Sequence, residues 1–410
     1  MHIKLISRNT IENFETVIIT ANAENFNSSK STALHEVCFK PLIDWAESAA
    51  RQAGTSKVVV AAQSADVKEY LGFDRVFALC EQTDSVCAQA ACAADFFGGF
   101  CGYVVILMTN SPFISPETIR LAVETCAKND ISAARITDKS GKKDIAYCCK
   151  VEGLTSDFLN GAKVLDICPD SEAICIDTRA SLAYAQSVKQ AEIVQKLIDK
   201  GVGIIDPKTV YISPDAEFEP DCTVYPNTVI RGRSRIAEGC IIGPSSTVEN
   251  CKIGKNTEVI NSVISDSEFA ENTSVGPFAY VRPGSAIGSD VKIGDFVEIK
   301  NSSIGDGTKV SHLTYVGDSD VGGGVNFGCG TVTVNYDGLA KHRTVIGDNA
   351  FIGCNTNLVA PVRVENNAFI AAGSTITDDV EAYSLAIARA RQVDKKDWAK
   401  NAGWNTKNKK

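Results

Sequence analysis

The chain has 410 residues, enough for two or three domains of ordinary size. Lys and Arg number 41 and Asp and Glu number 50, and this net charge of −9 argues against a nucleic-acid-binding protein. No apolar run is long enough to cross a membrane, and the N-terminus lacks the pattern of a secretion signal. The fifteen Cys residues, an odd number without a recurring metal-ligand spacing, predict reduced thiols and a cytoplasmic protein.

The N-terminal half alternates apolar strands with helical segments. Strands are predicted at residues 16–21, 57–61 and 103–108, and helices at residues 41–53, 84–96, 116–128 and 178–200. Such alternation predicts a mostly parallel sheet with helices on both faces. The segment GVGIIDP at residues 201–207 is the predicted junction with the rest of the chain.

After this junction the helical periodicity stops and an apolar residue recurs every six positions. The series comprises Ile212, Phe218, Val224, Ile230, Ile236, Ile242 and Val248, then Val275, Val281, Ile287, Ile293 and Ile299, then Ile346, Ile352, Leu358, Val364, Ile370 and Ile376. This hexapeptide repeat is typical of a parallel β-helix, in which each aliphatic residue points into a stacked core. Hexapeptide repeats of this type form left-handed coils of triangular section, with about 18 residues per turn. Chance alternation in a β-sandwich is the alternative, and the long runs in one register disfavour it.

The repeat is interrupted between Thr333 and Ile346 by a polar segment that contains Asn335, Tyr336 and Lys341. A polar loop that leaves a regular coil is a common place for functional residues. From residue 384 the chain is basic and irregular, which predicts a tail.

Arg282 and Lys300 are separated by three six-residue steps, and each follows the apolar residue of its hexapeptide. The two cations should therefore stack on successive coils, roughly 4.8 Å apart at the backbone. Stacked cations repel each other unless an anion binds between them, and a phosphate suits the Arg fork and the Lys point charge. Two solvated surface cations remain the alternative.

One histidine lies close to this column in the sequence. His312 and Tyr315 belong to VSHLTYVG, and Asn326 follows in VNFGCG. An imidazole, with its ordinary pKa near ~6.5, suits proton removal near neutral pH, although a structural or surface His is the alternative. No acidic or second His cluster has the spacing of a zinc site, and no Ser or Cys occupies a nucleophile elbow. The residues favour a β-helix enzyme that uses one His base on a phosphate-bearing substrate.

The motifs HLTYVGD at residues 312–318 and NYDGLAK at residues 335–341 are highly specific. With the chain around them, roughly residues 207–395, they closely resemble the acetyltransferase half of the bifunctional N-acetylglucosamine-1-phosphate uridylyltransferase/glucosamine-1-phosphate N-acetyltransferase family. The resemblance implies acetyl transfer from acetyl-CoA to the amine of glucosamine 1-phosphate, in UDP-N-acetylglucosamine biosynthesis. It also implies homotrimers whose active sites are shared between subunits.

Residue roles follow from the resemblance, position by position. His312 matches the general base, and Arg282 and Lys300 match ligands of the sugar phosphate. Further matches to the sugar and its phosphate are Tyr315, Asn326 and Lys341. Matches to the acetyl-CoA surface are Cys329, Asn335, Tyr336, Cys354, Ala372 and Arg389, with Cys354 at a position where the family commonly has Ser.

The N-terminal half resembles the uridylyltransferase half of the same family, an α/β nucleotidyltransferase-like (Rossmann-like) domain, but departs from it at the site. The family motif LAAGxGTRM, followed by PKxLH, is replaced by ITANAENFNSSKSTALH. The phosphate-loop glycines become Ala21 and Ala23, the Arg becomes Asn25, and the Lys becomes Thr32. Phosphoryl transfer depends on positive charge placed around the phosphates, so the departure predicts a degenerate site.

The metal positions of that half also differ from the family. An Asp that binds Mg²⁺ in the family is Asn110 here, and the second position, an Asn in the family, is Asp177. We therefore expect neither Mg²⁺ nor any other metal. We expect three segments: a degenerate nucleotidyltransferase-like domain at 1–206, a left-handed β-helix acetyltransferase domain at 207–383, and a tail at 384–410.

Three alternatives remain open. The chain could retain uridylyl transfer as a bifunctional enzyme. Its N-terminal half could instead be a non-catalytic regulatory or scaffold module that binds a nucleotide sugar or a protein. A third alternative is an acetyltransferase that acts on another amino-sugar phosphate.

Overall fold

A computed structural model describes residues 13–20, 26–81 and 83–403. The chain forms two compact units, Met1–Ile193 and Val194–Lys410. All fifteen cysteines are free thiols. No helix in the described part of the chain combines the length and the apolar character that crossing a membrane requires.

The N-terminal unit is built on a seven-stranded sheet of order β5-β4-β1-β6-β8-β7-β9. The strands of this unit are β1 (Phe14–Ile19), β2 (Glu36–Val37), β3 (Lys40–Pro41), β4 (Val58–Ala62), β5 (Phe77–Leu79), β6 (Tyr103–Met108), β7 (Ala133–Asp138), β8 (Asp144–Lys150) and β9 (Lys163–Cys168). Strands β5, β4, β1 and β6 run parallel, whereas β8 is antiparallel to β6 and β7. The two short strands β2 and β3 form a separate hairpin.

The helices of the chain are α1 (Leu42–Ala53), α2 (Ala65–Leu71), α3 (Val86–Ala91), α4 (Pro116–Lys128), α5 (Arg179–Asp199) and α6 (Trp398–Asn401), with 3₁₀ turns at Thr32–Leu34, Ala94–Phe97 and Val151–Gly153. Two apolar clusters lie on opposite faces of the seven-stranded sheet. The central strands β4 and β6 are buried along their whole length because side chains on both of their faces enter a cluster. This is a Rossmann-like α/β architecture, as predicted.

The predicted strands of this half are confirmed to within two residues in their described parts, and residue 21 lies outside the described residues. The single helix predicted at residues 84–96 is wrong, since the chain forms α3 and then a separate 3₁₀ turn. The antiparallel β8 was not predicted. Its sequence, DIAYCCK, carries no signal of strand direction, because direction depends on which strand it pairs with.

The C-terminal unit is a parallel β-helix with three faces. Face 1 contains Gly203–Ile204, Thr223–Val224, Ile241–Ile242, Glu258–Val259, Ser274–Val275, Lys292–Asp295, Lys309–His312, Asn326–Phe327, Phe351–Ile352, Phe369–Ile370 and Leu385–Ala386. Face 2 contains Tyr211–Ile212, Val229–Arg231, Thr247–Glu249, Val263–Ser265, Tyr280–Val281, Glu298–Lys300, Tyr315–Gly317, Val332–Val334, Asn357–Val359 and Thr375–Ile376. Face 3 contains Glu217–Phe218, Arg235–Ile236, Lys252–Ile253, Glu268–Phe269, Ala286–Ile287, Ser303–Ile304, Ser319–Val321, Thr344–Ile346 and Val362–Val364.

The hexapeptide prediction is confirmed by the register of these faces. Ile230 pairs with Val248, and Val281 pairs with Ile299, each on the next coil of the same face. All four of these side chains are fully buried, because the apolar residue of every hexapeptide points into the coil. Burial of such a column removes aliphatic surface from water at each step, which stabilises a long stack of two- to four-residue strands.

The corners between faces 2 and 3 use left-handed backbone conformations. The residues at these corners include Gly232, Asn250, Asp266, Gly284, Asn301 and Asp318, with φ between 43° and 79°. Gly, Asn and Asp tolerate this conformation better than other residues. Backbone geometry therefore favours Gly, Asn or Asp at these corners, and side-chain contacts can select among these three residue types.

The last coil extends into the predicted tail. Leu385–Ala386 pair in parallel with Phe369–Ile370 and close face 1. Residues 384–386 can add to the coil because the open edge of the preceding strand offers backbone partners, as in the hydrogen bond from the Ala371 amide to the Ala386 carbonyl. The exposed helix α6 follows further along the tail.

Candidate active site

Arg282 and Lys300 lie at the ends of neighbouring strands on face 2. The preceding residues, Val281 and Ile299, are paired, and the Arg282 amide donates to the Ile299 carbonyl at 2.8 Å. The predicted column of two cations is thus present in the structure. The Arg282 guanidinium contacts Glu298 at 2.9 Å, and the Lys300 ammonium contacts Asp318 at 3.3 Å.

A third cation approaches this column from the loop that interrupts the repeat. Tyr336 and Lys341 pair within the loop, and Asp337 accepts hydrogen bonds from the amides of Leu339 and Ala340 at 2.7 Å. The Lys341 side chain reaches Lys300, whose ammonium lowers the pKa of Lys341. Three cations at one place raise the electrostatic potential there, and a bound anion relieves their repulsion.

Asp318 is the buried acidic group beneath these cations. Its carboxylate accepts a hydrogen bond from the Asn301 amide group at 2.6 Å, a second from Asn335, and the contact from Lys300. Burial alone raises the pKa of the Asp318 carboxyl, but these hydrogen bonds and the charge of Lys300 hold it below its ordinary value. Asp318 therefore remains a carboxylate and holds the Lys300 ammonium at the column.

Tyr315 and Asn335 border the same cluster. The Asn335 side chain is buried and donates to the Tyr315 hydroxyl at 3.4 Å. The Tyr315 ring lies over Gly317, where a Cβ atom would approach the hydroxyl to 2.3 Å. These contacts bring together four of the predicted sugar-phosphate ligands, Arg282, Lys300, Tyr315 and Lys341.

His312 ends the face 1 strand that precedes Tyr315. Its Nδ1 contacts the carboxylate of Asp295, which occupies the paired position on the preceding coil. This contact holds the pKa of Asp295 below its ordinary value. The ring is 58% exposed, and within the described part of the chain its Nε2 has no hydrogen-bond partner. Nε2 is therefore the ring nitrogen that is free to accept or donate a hydrogen bond at the surface.

On the coils that follow His312, small residues occupy the position of His312 at the corner between faces 1 and 2. Phe327, Ile352 and Ile370 are in register on face 1, and the residues two positions further on are Cys329, Cys354 and Ala372. Hydrogen bonds join these corners, from the Asn355 amide to the Cys329 carbonyl and from the Gly373 amide to the Cys354 carbonyl, both at 2.8 Å.

Arg389 and Tyr336 are two further residues that the resemblance assigns to acetyl-CoA. The side chain of Arg389 passes over Gly373, with its Cδ 3.6 Å from the point where a Cβ would stand. Tyr336 is 57% exposed on the loop and donates its hydroxyl proton to the Gly338 carbonyl at 2.7 Å. Arg389 thus extends the surface of the corner column, whereas Tyr336 lies on the loop that joins faces 2 and 3.

Asn326 lies apart from this cluster within one chain. It begins a face 1 strand and pairs with Lys309, three residues before His312, and with Phe351 on the next coil. On face 1, His312 thus lies at one end of the strands and Asn326 at the other.

An exposed apolar stripe adjoins the His312 column. Phe278, Phe296 and Leu313 follow Val275, Ile293 and Val310 at the same offset, and these three are paired on successive coils. Each stripe residue is more than half exposed, and the two Phe rings stack with centroids 5.5 Å apart. All three adopt positive φ, which is unusual for bulky side chains.

In the N-terminal unit the two family metal positions are in contact, since the Asn110 side chain donates to the Asp177 carboxylate at 2.9 Å. This pair holds one carboxylate and one amide, the two ligand types of the family pair in exchanged positions, and one carboxylate oxygen accepts the hydrogen bond from Asn110. No group of three potential metal ligands occurs in the described part of the chain. Thr32 is buried in a 3₁₀ turn, whereas Ala21, Ala23 and Asn25 lie outside the described residues.

Sequence reasoning missed the carboxylates that hold the functional cations and the imidazole. Asp295 precedes His312 by 17 residues, and Asp318 follows Lys300 by 18 residues. Both spacings correspond to one coil. A search for acidic residues one coil away from each predicted site residue would have found both of them.

These features define a transferase of the hexapeptide-repeat class. The family model described as bacterial transferase hexapeptide (six repeats) matches residues 343–378. The chain is 38% identical to the bifunctional protein GlmU of Acetivibrio thermocellus, over 94% of this chain and 97% of that one. It is 37% identical to the bifunctional protein GlmU of Clostridium novyi, over 94% of this chain and 98% of that one. The chain belongs to the family of the bifunctional protein GlmU.

Because the chain belongs to this family, its N-terminal unit is a nucleotidyltransferase-like domain of Rossmann-like fold. A solved structure of 4-diphosphocytidyl-2C-methyl-D-erythritol synthase from Anaerococcus prevotii is similar with a TM-score of 0.35 and 11% identity, over 44% of this chain and 96% of that one.

We predict that Asp318→Asn lowers the free energy of unfolding of the C-terminal unit by about 1–3 kcal/mol at pH 7, because Lys300 loses its charged partner. The folded-state pKa of Asp318 is depressed, so its contribution is present above the unfolded pKa of ~3.9 and is lost as pH falls through the folded pKa. The difference between wild type and variant should therefore shrink toward pH 3. Denaturant unfolding followed at both pH values measures it.

Asp266→Asn is the matched control, because Asp266 occupies an equivalent corner with φ 43° but its carboxylate accepts, within the described residues, a single side-chain hydrogen bond, from Asn250. An equal loss in both variants would contradict a special role of Asp318.

Proposed function

We propose that the chain is a glucosamine-1-phosphate N-acetyltransferase that uses acetyl-CoA as co-substrate in UDP-N-acetylglucosamine biosynthesis, with a nucleotidyltransferase-like half that has lost uridylyl transfer. The observation that carries the proposal is the convergence of three cations. Arg282 and Lys300 lie on the two coils that precede His312, and Lys341 reaches them from the loop that follows it. The proposal includes a boundary near residue 206, a tail from residue 384, and a location in the reducing cytoplasm, which keeps thiols free.

The three cations suit the phosphate of the acceptor sugar. Arg282 offers a planar fork, and Lys300 and Lys341 add point charges. Glu298 and Asp318 hold the first two in place, and the loop brings the third. Because Lys341 already repels Lys300, binding of a dianionic phosphate gains more here than at an isolated pair of cations.

The exposed Nε2 of His312 suits proton removal from the sugar. The amine of glucosamine 1-phosphate is largely protonated at neutral pH and cannot attack a thioester in that form. His312 takes one proton from the ammonium group, and the free amine attacks the acetyl carbonyl. The tetrahedral intermediate then collapses with cleavage of the C–S bond, and the second proton of the nitrogen passes to the departing sulfur, which releases CoA thiol. A positioned base contributes about 10²–10⁴ to the rate, and a backbone N–H at a corner suits the oxyanion.

The corner column supports a place for acetyl-CoA. Cys329, Cys354 and Ala372 have short side chains, so they leave room for an extended pantetheine chain that ends at His312. Arg389 offers a positive charge for the phosphates, and the exposed ring of Tyr336 offers a flat apolar contact.

Separation of Asn326 from the cations supports a homotrimer with shared sites. If Asn326 binds the sugar, the copy that supplies it must differ from the copy that supplies His312. The stripe formed by Phe278, Phe296 and Leu313 exposes apolar surface next to His312, and a second subunit would cover it.

The altered N-terminal residues support loss of uridylyl transfer. Thr32 replaces the family Lys, and Asn110 and Asp177 exchange the carboxylate and the amide of the family pair. The uncharged Asn25 replaces the family Arg in the phosphate loop, outside the described residues. Without the family Lys and Arg, these positions offer no positive charge to stabilise the charge that develops on the transferred phosphoryl group. On this proposal no Mg²⁺ acts in this half.

We predict that His312→Ala lowers kcat/KM for acetyl transfer to glucosamine 1-phosphate by about 10²–10⁴, because the amine then loses its base. Release of CoA thiol measures the rate. Lys252→Gln is the control, since Lys252 lies on face 3 in an exposed ion pair with Glu268. Wild-type activity in His312→Ala, or no activity in the wild type, would contradict the proposal.

We predict that the purified chain releases pyrophosphate only at background rates from UTP and N-acetylglucosamine 1-phosphate in the presence of Mg²⁺. The same preparation must show acetyl transfer, so that misfolding does not explain the result. Uridylyl transfer well above background, lost in Asp177→Ala, would establish a bifunctional enzyme instead.

We predict that Phe296→Asn shifts the assembly from trimer toward monomer and lowers acetyl transfer in proportion. Asn accepts the positive φ at this corner, so the change removes the apolar ring without new strain. Sedimentation velocity measures the shift. Phe73→Asn is the control, because Phe73 is a fully exposed ring of the N-terminal unit. An unchanged trimer in Phe296→Asn would contradict this part of the proposal.

A further inference from the structure

The β-helix places residues 295 and 312 side by side, but it does not require a carboxylate and an imidazole at these two positions. We infer that Asp295 is a positioning residue that orients the His312 base and stabilises its protonated form during acetyl transfer. This inference rests on the proposed function, in which His312 takes the proton of the sugar amine.

Strand length on face 1 singles out these two residues. The strands Lys292–Asp295 and Lys309–His312 have four residues each, whereas the other face 1 strands described above have two. The extra pairing adds one register pair, Asp295 with His312, at the end that leads into the corner. The Leu313 amide continues this contact by donating to the Asp295 carbonyl at 3.0 Å. The β-helix is therefore locally extended where the imidazole and the carboxylate meet.

A glycine permits this close approach of the two coils. At Gly294 a Cβ atom would lie 1.9 Å from the carbonyl oxygen of Ser311, so no other residue fits without moving the strands apart. Gly294 directly precedes Asp295, and Ser311 directly precedes His312. The absence of a side chain at 294 thus lets the two strands lie close together beside the carboxylate and the imidazole.

The contact determines the state of the imidazole. An ionised carboxylate accepts hydrogen bonds but cannot donate one, so Nδ1 of His312 carries a hydrogen and donates it to Asp295. Nε2 then bears the lone pair, which is the form that a general base needs. When Nε2 has taken the proton from the sugar amine, the positive ring lies against the negative charge of Asp295, which lowers the energy of that state.

Other ionisable groups near the ring are less well placed. Lys292 and Lys309 begin the two paired strands, three residues before Asp295 and His312. Cys329 follows His312 in the corner column, and Tyr315 follows it on face 2. Asp295 is the carboxylate that contacts the ring. Because the two side chains are 37% and 58% exposed, water screens the pair, and a moderate effect is expected.

The test compares Asp295→Asn with the wild type in acetyl transfer across pH. Asn keeps the size and one acceptor but removes the charge, so the protonated ring is less stabilised. We expect kcat/KM to fall about 10-fold to 100-fold, which is part of what a positioned base contributes. We expect the acidic limb of the profile of kcat/KM against pH to move to lower pH by about one unit. Asp295→Glu, which restores the charge, should move the limb back toward the wild type.

Asp290→Asn is the matched control. Asp290 is exposed in the turn before the same strand, with φ 58°, and Asn suits that conformation equally well. A merely structural role of Asp295 would lower the melting temperature and leave the acidic limb in place, and that result would overturn the inference. A wild-type rate and limb in Asp295→Asn, with His312→Ala inactive, would also overturn it while leaving the proposed function intact. Failure of the proposed function would appear as absence of acetyl transfer in the wild type.

Discussion

Parallel pairing of successive coils is the constraint on which the C-terminal structure depends. Each residue lies directly above the residue one coil earlier, so side chains form columns along the three faces. The inward columns are aliphatic and bury the core. The outward columns bring like residues together whether or not they attract each other, as with Arg282 and Lys300. Such an arrangement is stable when each cation has its own carboxylate, and Glu298 and Asp318 provide them.

The corners between faces are the second constraint. A left-handed corner favours Gly, Asn or Asp, and the corner that holds Asp318 uses all three in different coils. The carboxylate therefore stands beside Lys300 at little conformational cost. Phe278, Phe296 and Leu313 behave differently, because bulky side chains at positive φ cost of order 1–2 kcal/mol each. Strain of this kind persists where the surroundings hold the residue and is common at functional surfaces.

The N-terminal unit separates the positions of its core from the positions at its strand ends. In the N-terminal unit the central strands and both apolar clusters form a complete core. The departures from the family lie on short segments at strand ends, as with Asn110 directly after β6 and Asp177 before α5. Burial selects residues of the core, whereas chemistry selects residues at the strand ends, so the same fold can carry different sites.

The sequence alone determined the solenoid, the stacking of Arg282 on Lys300 and the α/β class of the first half, because each follows from a local period or alternation. Tertiary structure alone decided the antiparallel β8 and the approach of Lys341 to Lys300. It also placed Asn326 away from His312. These features depend on which segments meet across a coil or a sheet, and loop conformation and strand order are not encoded in the spacing of apolar residues.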